Sequence, residues 1–574
     1  MGFLRPLLRE KFSKKTYPDP KNPIIAEKIA EGRALFARHY MGRTHPYPWI
    51  IAGKKLLGRA GTYKTYCPGD RNFVIGEFPL FEEKTLAHLD AGRLDEVLNS
   101  GLRFAETVPW HRRMDLLLEI SKVVEKRFWI LVAAKQYETG QNIAEAIGET
   151  DEEVDFPLSV AMYLEELNED LLLESTNTAG DFNGHYYAPH GTFLNASPFN
   201  FPGAIPMDMA CKALAMGNAF IEKSSDKSSL CGYLVYESIR IAFENLGIPH
   251  NGVINYAPGG ADTVHMFLES PFIRGLSFTG SYSALKEIKD RHGKRDDRMG
   301  YAGKSSLVYG SEETSGVNVV AVWSDADVIH ASKECVKSFV GRSGQKCSSA
   351  RVIIVHEKIF DSFAACIEHE LEKVKVGKAY DMDIDLGALI TVQAGEKISA
   401  DINNLCTMGI IEAPNSQRIA KISEGYPIIL FAGRDMLRNE DKAKILMNTE
   451  LFGPVATVVR ARNIVEVRRL CKLSEFALTG SYFSSNIETC IALSKIIKAG
   501  NQYQNRKCTG AFVETESFGG LLSHSGPGVK RKAALSRFGS LQIRSGFYPR
   551  LWGNEERQKF ISQLKKEGVV FSKE

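Results

Sequence analysis

Residues 191–223 read GTFLNASPFNFPGAIPMDMACKALAMGNAFIEK and decide the fold class. Residues 191–196 have the pattern of a strand, residues 204–216 that of a helix and residues 218–222 that of a second strand. A strand, a helix and a second strand in so short a stretch are typical of parallel strands joined by a crossover helix. The stretch therefore predicts a parallel sheet covered by helices.

The same alternation extends along most of the chain. Residues 230–246 predict a helix, 252–256 a strand, 261–269 a helix and 275–278 a strand. The second half of the chain has the same alternation of strands and helices. Strands are predicted over 306–309, 317–320, 351–356, 428–431, 454–459 and 479–483. Helices are predicted over 325–340, 358–374, 464–473 and 487–499. We predict an α/β protein with a doubly wound, nucleotide-binding sheet and a second α/β domain.

The flanking segments follow other patterns. Residues 1 to about 80 are rich in Pro, Gly and Tyr and predict an extended arm, whereas residues 83–169 have long helical periodicity. Residues 177–190 contain turn residues and aromatics that predict a projecting hairpin where subunits could pair. Residues 555–574 form a charged tail with helical spacing.

Bulk composition excludes several classes of protein. At 574 residues the chain is long enough for two or three domains, and its net charge of +3 with 25% charged residues does not predict nucleic-acid binding. Ten dispersed cysteines without metal-ligand spacing favour a reducing compartment and predict no structural metal site. No apolar run has the length needed to span a bilayer.

The N-terminus, MGFLRPLLREKFSKK, has five basic residues against one acid with leucines between them. This pattern is weakly like a mitochondrial presequence, and a surface arm explains it equally well.

The strongest chemical signal is the stretch FVGRSGQKCSSAR at 339–351. Cys347 lies in a short polar segment framed by Gly341 and Gly344, which permits backbone geometry that presents a thiol at the end of an element. A cysteine in a protein is most often a small buried hydrophobe, but this context favours a nucleophile.

Four further stretches carry polar residues at strand ends. They are SPFNFP at 197–202, EKSSD at 222–226, SFTGS at 277–281 and NTELFGPV at 448–455. Each alone is weak evidence, since loop staples and ordinary turns use the same residue types.

Together with SGQKCSSAR and with NRKCTGAFVETESFGG at 505–520, these stretches resemble the aldehyde dehydrogenase superfamily, most closely its glutamate-semialdehyde branch. The likeness runs from about residue 60 to about residue 550. It implies NAD-dependent oxidation of a small carboxylate-bearing aldehyde, with L-glutamate γ-semialdehyde as the best candidate. It also implies the domain plan 1–60 arm, 61–170 and 191–300 NAD-binding domain, 301–505 catalytic domain, 171–190 and 521–550 oligomerisation elements, and 551–574 tail.

The resemblance assigns roles to individual residues. Cys347 would be the nucleophile and Asn200 the oxyanion donor, as the chemistry requires, because an aldehyde gives up hydride only after a nucleophile makes it tetrahedral. The cofactor-binding residues would be Lys223, Asp226, Ser281, Glu450 and Phe452. An acid at Asp226 repels a 2′-phosphate and favours NAD over NADP.

The implied substrate pocket has four members. Ser348, Gly510 and Ala511 match the positions that grasp the substrate carboxylate, and Phe518 matches the aromatic beside its aliphatic part. A backbone N–H nest with a hydroxyl group suits a carboxylate.

One departure concerns the general base. The glutamate of the family opens a pattern that ends in Gly-Gly-Lys, and the corresponding stretch is MGYAGK at 299–304, with Gly300 in the place of the glutamate. Three explanations stay open: Asp296, Asp297 or Glu450 activates water instead, coenzyme A accepts the acyl group, or the chain is an impaired structural or regulatory subunit.

The resemblance also bears on partners and location. It implies a homodimer or a dimer-based hexamer, with a larger assembly as a further option. The mitochondrial matrix is expected for a eukaryotic protein of proline catabolism, and the cytoplasm otherwise.

Overall fold

A computed structural model gives the fold of the protein. It describes residues 8, 10–12, 18–58, 60–81, 91–174, 181–270, 272–292, 307–433, 436–521, 524–527, 530–547 and 553–566.

The strands of these residues are numbered in chain order. They are β1 (Trp49–Ile51), β2 (Lys54–Leu56), β3 (Thr62–Cys67), β4 (Asp70–Pro79), β5 (Asp181–Pro189), β6 (Thr192–Ala196), β7 (Ala219–Lys223), β8 (Ile254–Tyr256), β9 (Ile273–Thr279), β10 (Val308–Glu313), β11 (Asn318–Val322), β12 (Ala350–His356), β13 (Ile428–Phe431), β14 (Val455–Ala461), β15 (Thr479–Phe483), β16 (Asn501–Gln504) and β17 (Gly539–Phe547).

The α-helices are named by their bounds. They are Pro23–Tyr40, Ala91–Thr107, Trp110–Thr139, Ile143–Glu174, Ala204–Ala215, Ser229–Asn245, Ala261–Leu268, Tyr282–His292, Val328–Val340, Phe360–Glu372, Val392–Thr407, Ser416–Ala420, Glu440–Asn448, Ile464–Leu473, Ile487–Ile496, Lys532–Ser536 and Asn554–Lys566. Among the helices that the structure describes, none is both long and apolar enough to cross a membrane.

The first sheet has seven strands in the order β10-β9-β6-β7-β8-β1-β2. Strands β6 to β10 are parallel, and the antiparallel pair β1 and β2 closes one edge. Chain order reverses direction at β6, which has β7 on one side and β9 on the other. Such a reversal opens a crevice at the carboxyl ends of the strands, where ligands of open α/β sheets bind.

Both faces of this sheet are buried. Phe193 and Phe220 belong to one hydrophobic core, and Leu194 and Ile221 belong to the core on the opposite face. Successive side chains of a strand point to opposite faces, so a strand buried on both sides reads as a continuous apolar run. This is why residues 192–196 lack alternation.

The second sheet has six parallel strands in the order β13-β14-β12-β11-β15-β16. It repeats the two-faced burial, since Val319 and Ile354 lie in one core and Val320 and Ile353 in the other. The predicted α/β fold class with its two parallel sheets is confirmed.

Two expectations about the flanking segments are wrong. Residues 23–40 are not an extended arm but a helix, capped by the Asn22 side chain and packed on the helix Trp110–Thr139. Its apolar stripe is narrow, with only Ile29, Gly32 and Phe36 buried. Strand β1 likewise belongs to the first sheet, because Ile50 pairs with Tyr256.

The hairpin expected over 177–190 is also wrong for the residues that the structure describes. Strand β5 pairs antiparallel with β17, from Gly539 opposite Pro189 to Phe547 opposite Asp181. The ribbon therefore joins two segments that are far apart in the chain. Residues 175–180 lie outside the described residues.

Candidate active site

Cys347 lies in a loop between a helix and a buried strand. The helix Val328–Val340 is capped at its start by Asp327, whose side chain accepts from the His330 N–H at 3.0 Å, and it ends at Gly341. Arg342 and Ser343 then have φ of 55° and 50°, a left-handed conformation that non-glycine residues adopt at a cost. This reversal leaves Cys347 partly exposed just before β12.

Two side chains fix the backbone of this loop. The Arg351 guanidinium donates to the carbonyl oxygens of Gly453 at 2.7 Å and Gly344 at 2.6 Å. The Asn318 side-chain amide, on β11, donates to the carbonyl oxygens of Cys347 at 2.7 Å and Ser349 at 2.8 Å. The Cys347 main chain is therefore held from two neighbouring strands of the second sheet.

The environment of the thiol disfavours its ionised form. Burial raises the pKa of Cys347 to about 12, and the negative charges of Glu313 and Glu450 raise it further. The backbone N–H groups of Cys347 and Ser348 act in the opposite direction and lower this pKa. Those N–H groups therefore lie close to the sulfur, where they can donate hydrogen bonds to negative charge that develops during the reaction.

Glu313 ends strand β10 and approaches the thiol from the first sheet. Burial raises its pKa to about 8, although the positive charges of Lys212 and Lys530 lower it. Its Oε2 atom is buried without a hydrogen bond in the part of the chain that the structure describes. Three residues later, a Cβ on Gly316 would lie 2.1 Å from the Cys347 carbonyl oxygen, so the two segments are in contact.

Asn200 is buried and is tied to the cysteine loop through Arg342. The Arg342 guanidinium donates to the Asn200 backbone carbonyl and forms an ion pair with Glu149 at 2.9 Å. Glu149 also accepts from the N–H of Gly203, at the start of the helix Ala204–Ala215, at 2.9 Å. A buried carboxylate thus connects the loop of the oxyanion candidate to the loop of the nucleophile candidate.

The segment with Glu450 and Phe452 lies against both loops. A Glu450 carboxylate oxygen accepts from the Gly316 N–H at 2.9 Å. The Phe452 ring meets the Phe199 ring edge-on, with 6.2 Å between their centroids, and lies 5.8 Å from the Arg351 guanidinium carbon. The structure therefore gathers Asn200, Cys347, Glu450 and Phe452 around one place between the sheets.

Lys223 and Asp226 follow the carboxyl end of β7. Lys223 is buried and donates to the Gly259 carbonyl oxygen at 3.3 Å, and burial lowers its pKa to about 8. Burial acts to raise the pKa of Asp226, but the ion pair with Lys227 at 3.0 Å outweighs it and lowers this pKa. Asp226 is therefore an anion at neutral pH with a cation beside it.

Ser281 follows β9 on the other side of β6. Its hydroxyl accepts from the Ala284 N–H at 3.2 Å, within the first turn of the helix Tyr282–His292. The positive end of the helix dipole favours an anion at such a helix start. Ser281 and Lys223 thus flank the crevice that the reversal at β6 creates, and their donors suit the phosphates and ribose hydroxyls of a dinucleotide.

The substrate residues expected from the sequence lie on two adjoining segments. The Ser348 carbonyl oxygen accepts from the Thr479 hydroxyl at 3.0 Å and from the Cys508 thiol at 3.4 Å, which brings the 508–511 segment beside the nucleophile. Gly510 has φ of 79° and is exposed together with part of Ala511. Phe518 is 36% exposed.

Comparison with known proteins identifies the family. The profile of the aldehyde dehydrogenase family matches residues 84–541. The chain belongs to the aldehyde dehydrogenase family.

Relatives with curated names extend over most of this aldehyde dehydrogenase. A Bacillus subtilis (strain 168) protein named 1-pyrroline-5-carboxylate dehydrogenase is 28% identical over 496 residues, which is 86% of this chain and 91% of the relative. A protein of that name from Staphylococcus saprophyticus is 26% identical over 475 residues, 83% of this chain and 87% of the relative.

Solved structures share the fold. The 1-pyrroline-5-carboxylate dehydrogenase from Thermus with bound NAD has a TM-score of 0.81 at 24% identity and covers 93% of this chain and 98% of its own. Proline utilization A from Bdellovibrio bacteriovorus has a TM-score of 0.80 at 23% identity, over 94% of this chain and 54% of its own.

Glu313 is the functional candidate that the sequence interpretation missed. Residues 299–304, where the sequence predicts Gly300 in the place of the glutamate, lie outside the described residues. Glu313 is a carboxyl group beside Cys347 that was not among the alternative bases Asp296, Asp297 and Glu450. Its charge acts directly on the pKa of Cys347. A usable signal was the acidic pair Glu312–Glu313 between the strands predicted over 306–309 and 317–320.

No metal site accompanies this arrangement in the described residues, since they contain no group of three or more His, Cys, Asp or Glu side chains placed to hold an ion.

Proposed function

We propose that this aldehyde dehydrogenase oxidises L-glutamate γ-semialdehyde to glutamate with NAD. The observation that carries the proposal is the meeting of the Cys347 thiol, the Glu313 carboxyl group and the buried Asn200 loop between the two sheets. The names of the relatives, which extend over 83–86% of the chain, support the substrate.

In the first half of the reaction, Cys347 gives its thiol proton to water, attacks the aldehyde carbon as the thiolate and forms a C–S bond. The carbonyl electron pair moves to oxygen, and the Asn200 amide and the Cys347 N–H hold the resulting oxyanion. When the oxyanion collapses, hydrogen leaves the carbon with its electron pair and a thioester remains on Cys347.

NAD, when bound, supplies the acceptor for this hydride. Lys223 and Asp226 would hold the adenosine ribose hydroxyls, and Ser281 with the first turn of Tyr282–His292 would hold the pyrophosphate. Glu450 and Phe452 would contact the nicotinamide end. Asp226 supports NAD over NADP, because it is an anion at neutral pH.

In the second half, Glu313 acts as the general base. Its carboxylate takes a proton from a water molecule, the water oxygen attacks the thioester carbon, and the C–S bond breaks. The acid leaves, the sulfur departs as a thiolate, and the thiolate takes the proton back from Glu313, which restores both side chains. A carboxyl group with a pKa of about 8 accepts a proton from water more readily than an ordinary glutamate does.

The presence of Glu313 removes the main reason for the two other functions. Transfer to coenzyme A and an impaired structural or regulatory role both followed from the apparent lack of a base. With glutamate semialdehyde and NAD but no coenzyme A, we expect the protein to form NADH. Added coenzyme A should not increase the rate, and Cys347→Ala should form no NADH. Turnover that requires coenzyme A would reject the hydrolytic function.

We also propose that the β5–β17 ribbon pairs subunits into a dimer or a dimer-based hexamer. Leu541 and Ile543 are 47% and 62% exposed and, two residues apart on β17, lie on the same face of the ribbon, where they form an apolar surface suited to a partner subunit. Light scattering of the protein and of Leu541→Glu/Ile543→Glu measures the assembly. An unchanged mass in the double variant would assign subunit contacts to another surface.

A further inference from the structure

Lys507 differs from the other cations around the substrate side of the site. Lys346 pairs with Glu145 at 3.6 Å, Lys337 with Glu334 at 2.6 Å, and Arg506 with Glu516 at 2.7 Å. Lys507 forms no ion pair with the residues that the structure describes, although its side chain is partly buried. A partly buried ammonium group that forms no ion pair indicates a place for an anion.

The ammonium group of Lys507 lies directly against Gly510. A Cβ on Gly510 would be 3.4 Å from Nζ and 3.5 Å from Cε of Lys507. Because Gly510 has φ of 79°, its backbone takes a left-handed turn that few side chains tolerate. The turn and the cation are thus next to each other at an exposed position of the pocket.

The same helix places Lys507 and Cys347. The Lys507 N–H donates to Glu334 at 3.0 Å, and the Cys508 N–H donates to the Ser338 hydroxyl at 3.1 Å. Both acceptors lie on the helix Val328–Val340, which leads into the nucleophile loop. The Cys508 thiol also donates to the Ser348 carbonyl oxygen at 3.4 Å. The backbone of Lys507 is therefore anchored to the helix that leads into the nucleophile loop.

The surrounding charges make this cation receptive to an anion. Burial has the largest effect and lowers the pKa of Lys507. The positive charges of Lys346, Lys337 and Arg506 lower this pKa further, in that order. Of the groups that act on the pKa of Lys507, only Glu334 raises it, and Glu334 already forms an ion pair with Lys337. A carboxylate at this position would relieve the repulsion.

We propose that Lys507 is a substrate-binding residue that forms a charge-assisted hydrogen bond with the carboxylate of the aldehyde substrate, beside Gly510 and Ser348. This inference rests on the proposed function and adds the cation that selects acid-bearing aldehydes over neutral ones. A hydrogen bond to a charged group contributes roughly tenfold to a hundredfold in affinity.

The test compares two aldehydes in three variants. For Lys507→Met we expect kcat/KM with glutamate semialdehyde to fall about 10- to 100-fold, mainly through KM, because the lost contact exists before and during the reaction. With butanal, which lacks the carboxylate, we expect a change of less than about threefold. Lys507→Arg should retain most of the discrimination, and Lys495→Met, at an exposed lysine of the helix Ile487–Ile496, should change neither substrate.

Equal losses with both aldehydes, or no loss with the semialdehyde, would overturn the role of Lys507. If the wild-type protein oxidises butanal but not the semialdehyde, the proposed substrate fails instead. In that case calorimetric titration with L-glutamate still tests Lys507. Weaker binding to Lys507→Met than to the wild type supports a carboxylate site, and equal or undetectable binding to both rejects it.

Discussion

The charge of the Glu313 carboxyl group raises the pKa of the Cys347 thiol across the gap between the two sheets. Two anions at this place are therefore unfavourable, and a proton on one group favours ionisation of the other. This coupling gives Glu313 a measurable influence on the reactivity of Cys347 even before a substrate binds.

Replacement of Glu313 by Gln separates the two half-reactions. We expect steady-state kcat to fall about 10²- to 10⁴-fold, because no carboxylate activates water, while the first-turnover burst of NADH remains. Rapid-mixing absorbance at the NADH band measures both phases. Glu396→Gln, on an exposed face of the helix Val392–Thr407, is the matched control. A variant with wild-type steady-state turnover would assign the base to another group.

The same variant makes a prediction about the thiol itself. Without the neighbouring negative charge the pKa of Cys347 decreases, so alkylation by iodoacetamide at pH 8 should become faster in Glu313→Gln. Mass spectrometry of the 339–351 peptide with time measures the rate. A slower or unchanged rate would show that the coupling is negligible.

The pH dependence follows from the ionised form of Glu313. Only the carboxylate accepts a proton, and its pKa is raised to about 8, so kcat limited by hydrolysis should rise about tenfold per pH unit below 8 and level off above it. Lys530 lowers this pKa, so Lys530→Met should move the profile to higher pH and Lys530→Arg should not. A profile that is identical in Glu313→Gln would contradict the assignment.

Much of this arrangement could be predicted from the sequence. The strands predicted over 191–196, 317–320 and 351–356 are present as buried parallel strands. SPFNFP follows the first of them, and QKCSS precedes the third. The position of Glu313 could not be predicted in this way. Strand β10 continues past the predicted end at 309, and its register against β9 shifts between Tyr309 and Glu312. Such a bulge changes which side chains face the site, so the acidic pair Glu312–Glu313 in the sequence does not tell which of the two carboxyl groups meets the thiol.

The buried position of Arg342 could not be predicted from the sequence either. Its left-handed φ of 55° directs the guanidinium into the protein, whereas the sequence GRSG reads as an exposed turn. The helix Pro23–Tyr40 was missed because few of its side chains are buried, although Asn22 before Pro23 is a typical helix start.

Arg342 and Glu149 form a buried pair whose halves depend on each other, with side chains 5% and 0% exposed. Arg342→Met should lower the free energy of unfolding by about 3–5 kcal/mol, since Glu149 keeps a buried charge without its partner. Urea denaturation measures this change. The double variant Arg342→Met/Glu149→Gln should lose less stability than the sum of the two single variants. A loss equal to that sum would contradict the coupling.

Gly316 tests how closely the two sheets must approach. An alanine there would place Cβ 2.1 Å from the Cys347 carbonyl oxygen and 2.9 Å from the Asn318 amide, so the nucleophile loop must move. We expect Gly316→Ala to reduce kcat by at least about tenfold, because a shift of about 1 Å in a reacting group costs that much or more. Gly148→Ala, in a helix with open space around the new methyl group, is the control and should leave kcat unchanged.

Asp226 and Lys227 set the preference between the two dinucleotides. In Asp226→Ala the repulsive carboxylate is lost and Lys227 is freed from its 3.0 Å ion pair, so a 2′-phosphate gains a cation. We expect the ratio of kcat/KM for NADP to that for NAD to rise about tenfold or more. In the double variant Asp226→Ala/Lys227→Met this ratio should be lower than in Asp226→Ala, because the cation that would meet the 2′-phosphate is gone. A ratio unaffected by either variant would place the adenosine ribose elsewhere.

The ribbon of β5 and β17 sets the order in which the chain can fold. Asp181–Pro189 leaves the ribosome about 350 residues before its partner Gly539–Phe547. At about 5–20 residues per second, β5 waits roughly 20–70 s as an unpaired edge strand. During that interval, in which strands β6 to β16 of the two sheets are still being made, β5 is open to pairing with β5 of a neighbouring chain. We therefore expect chaperones or a low density of nascent chains to favour correct folding.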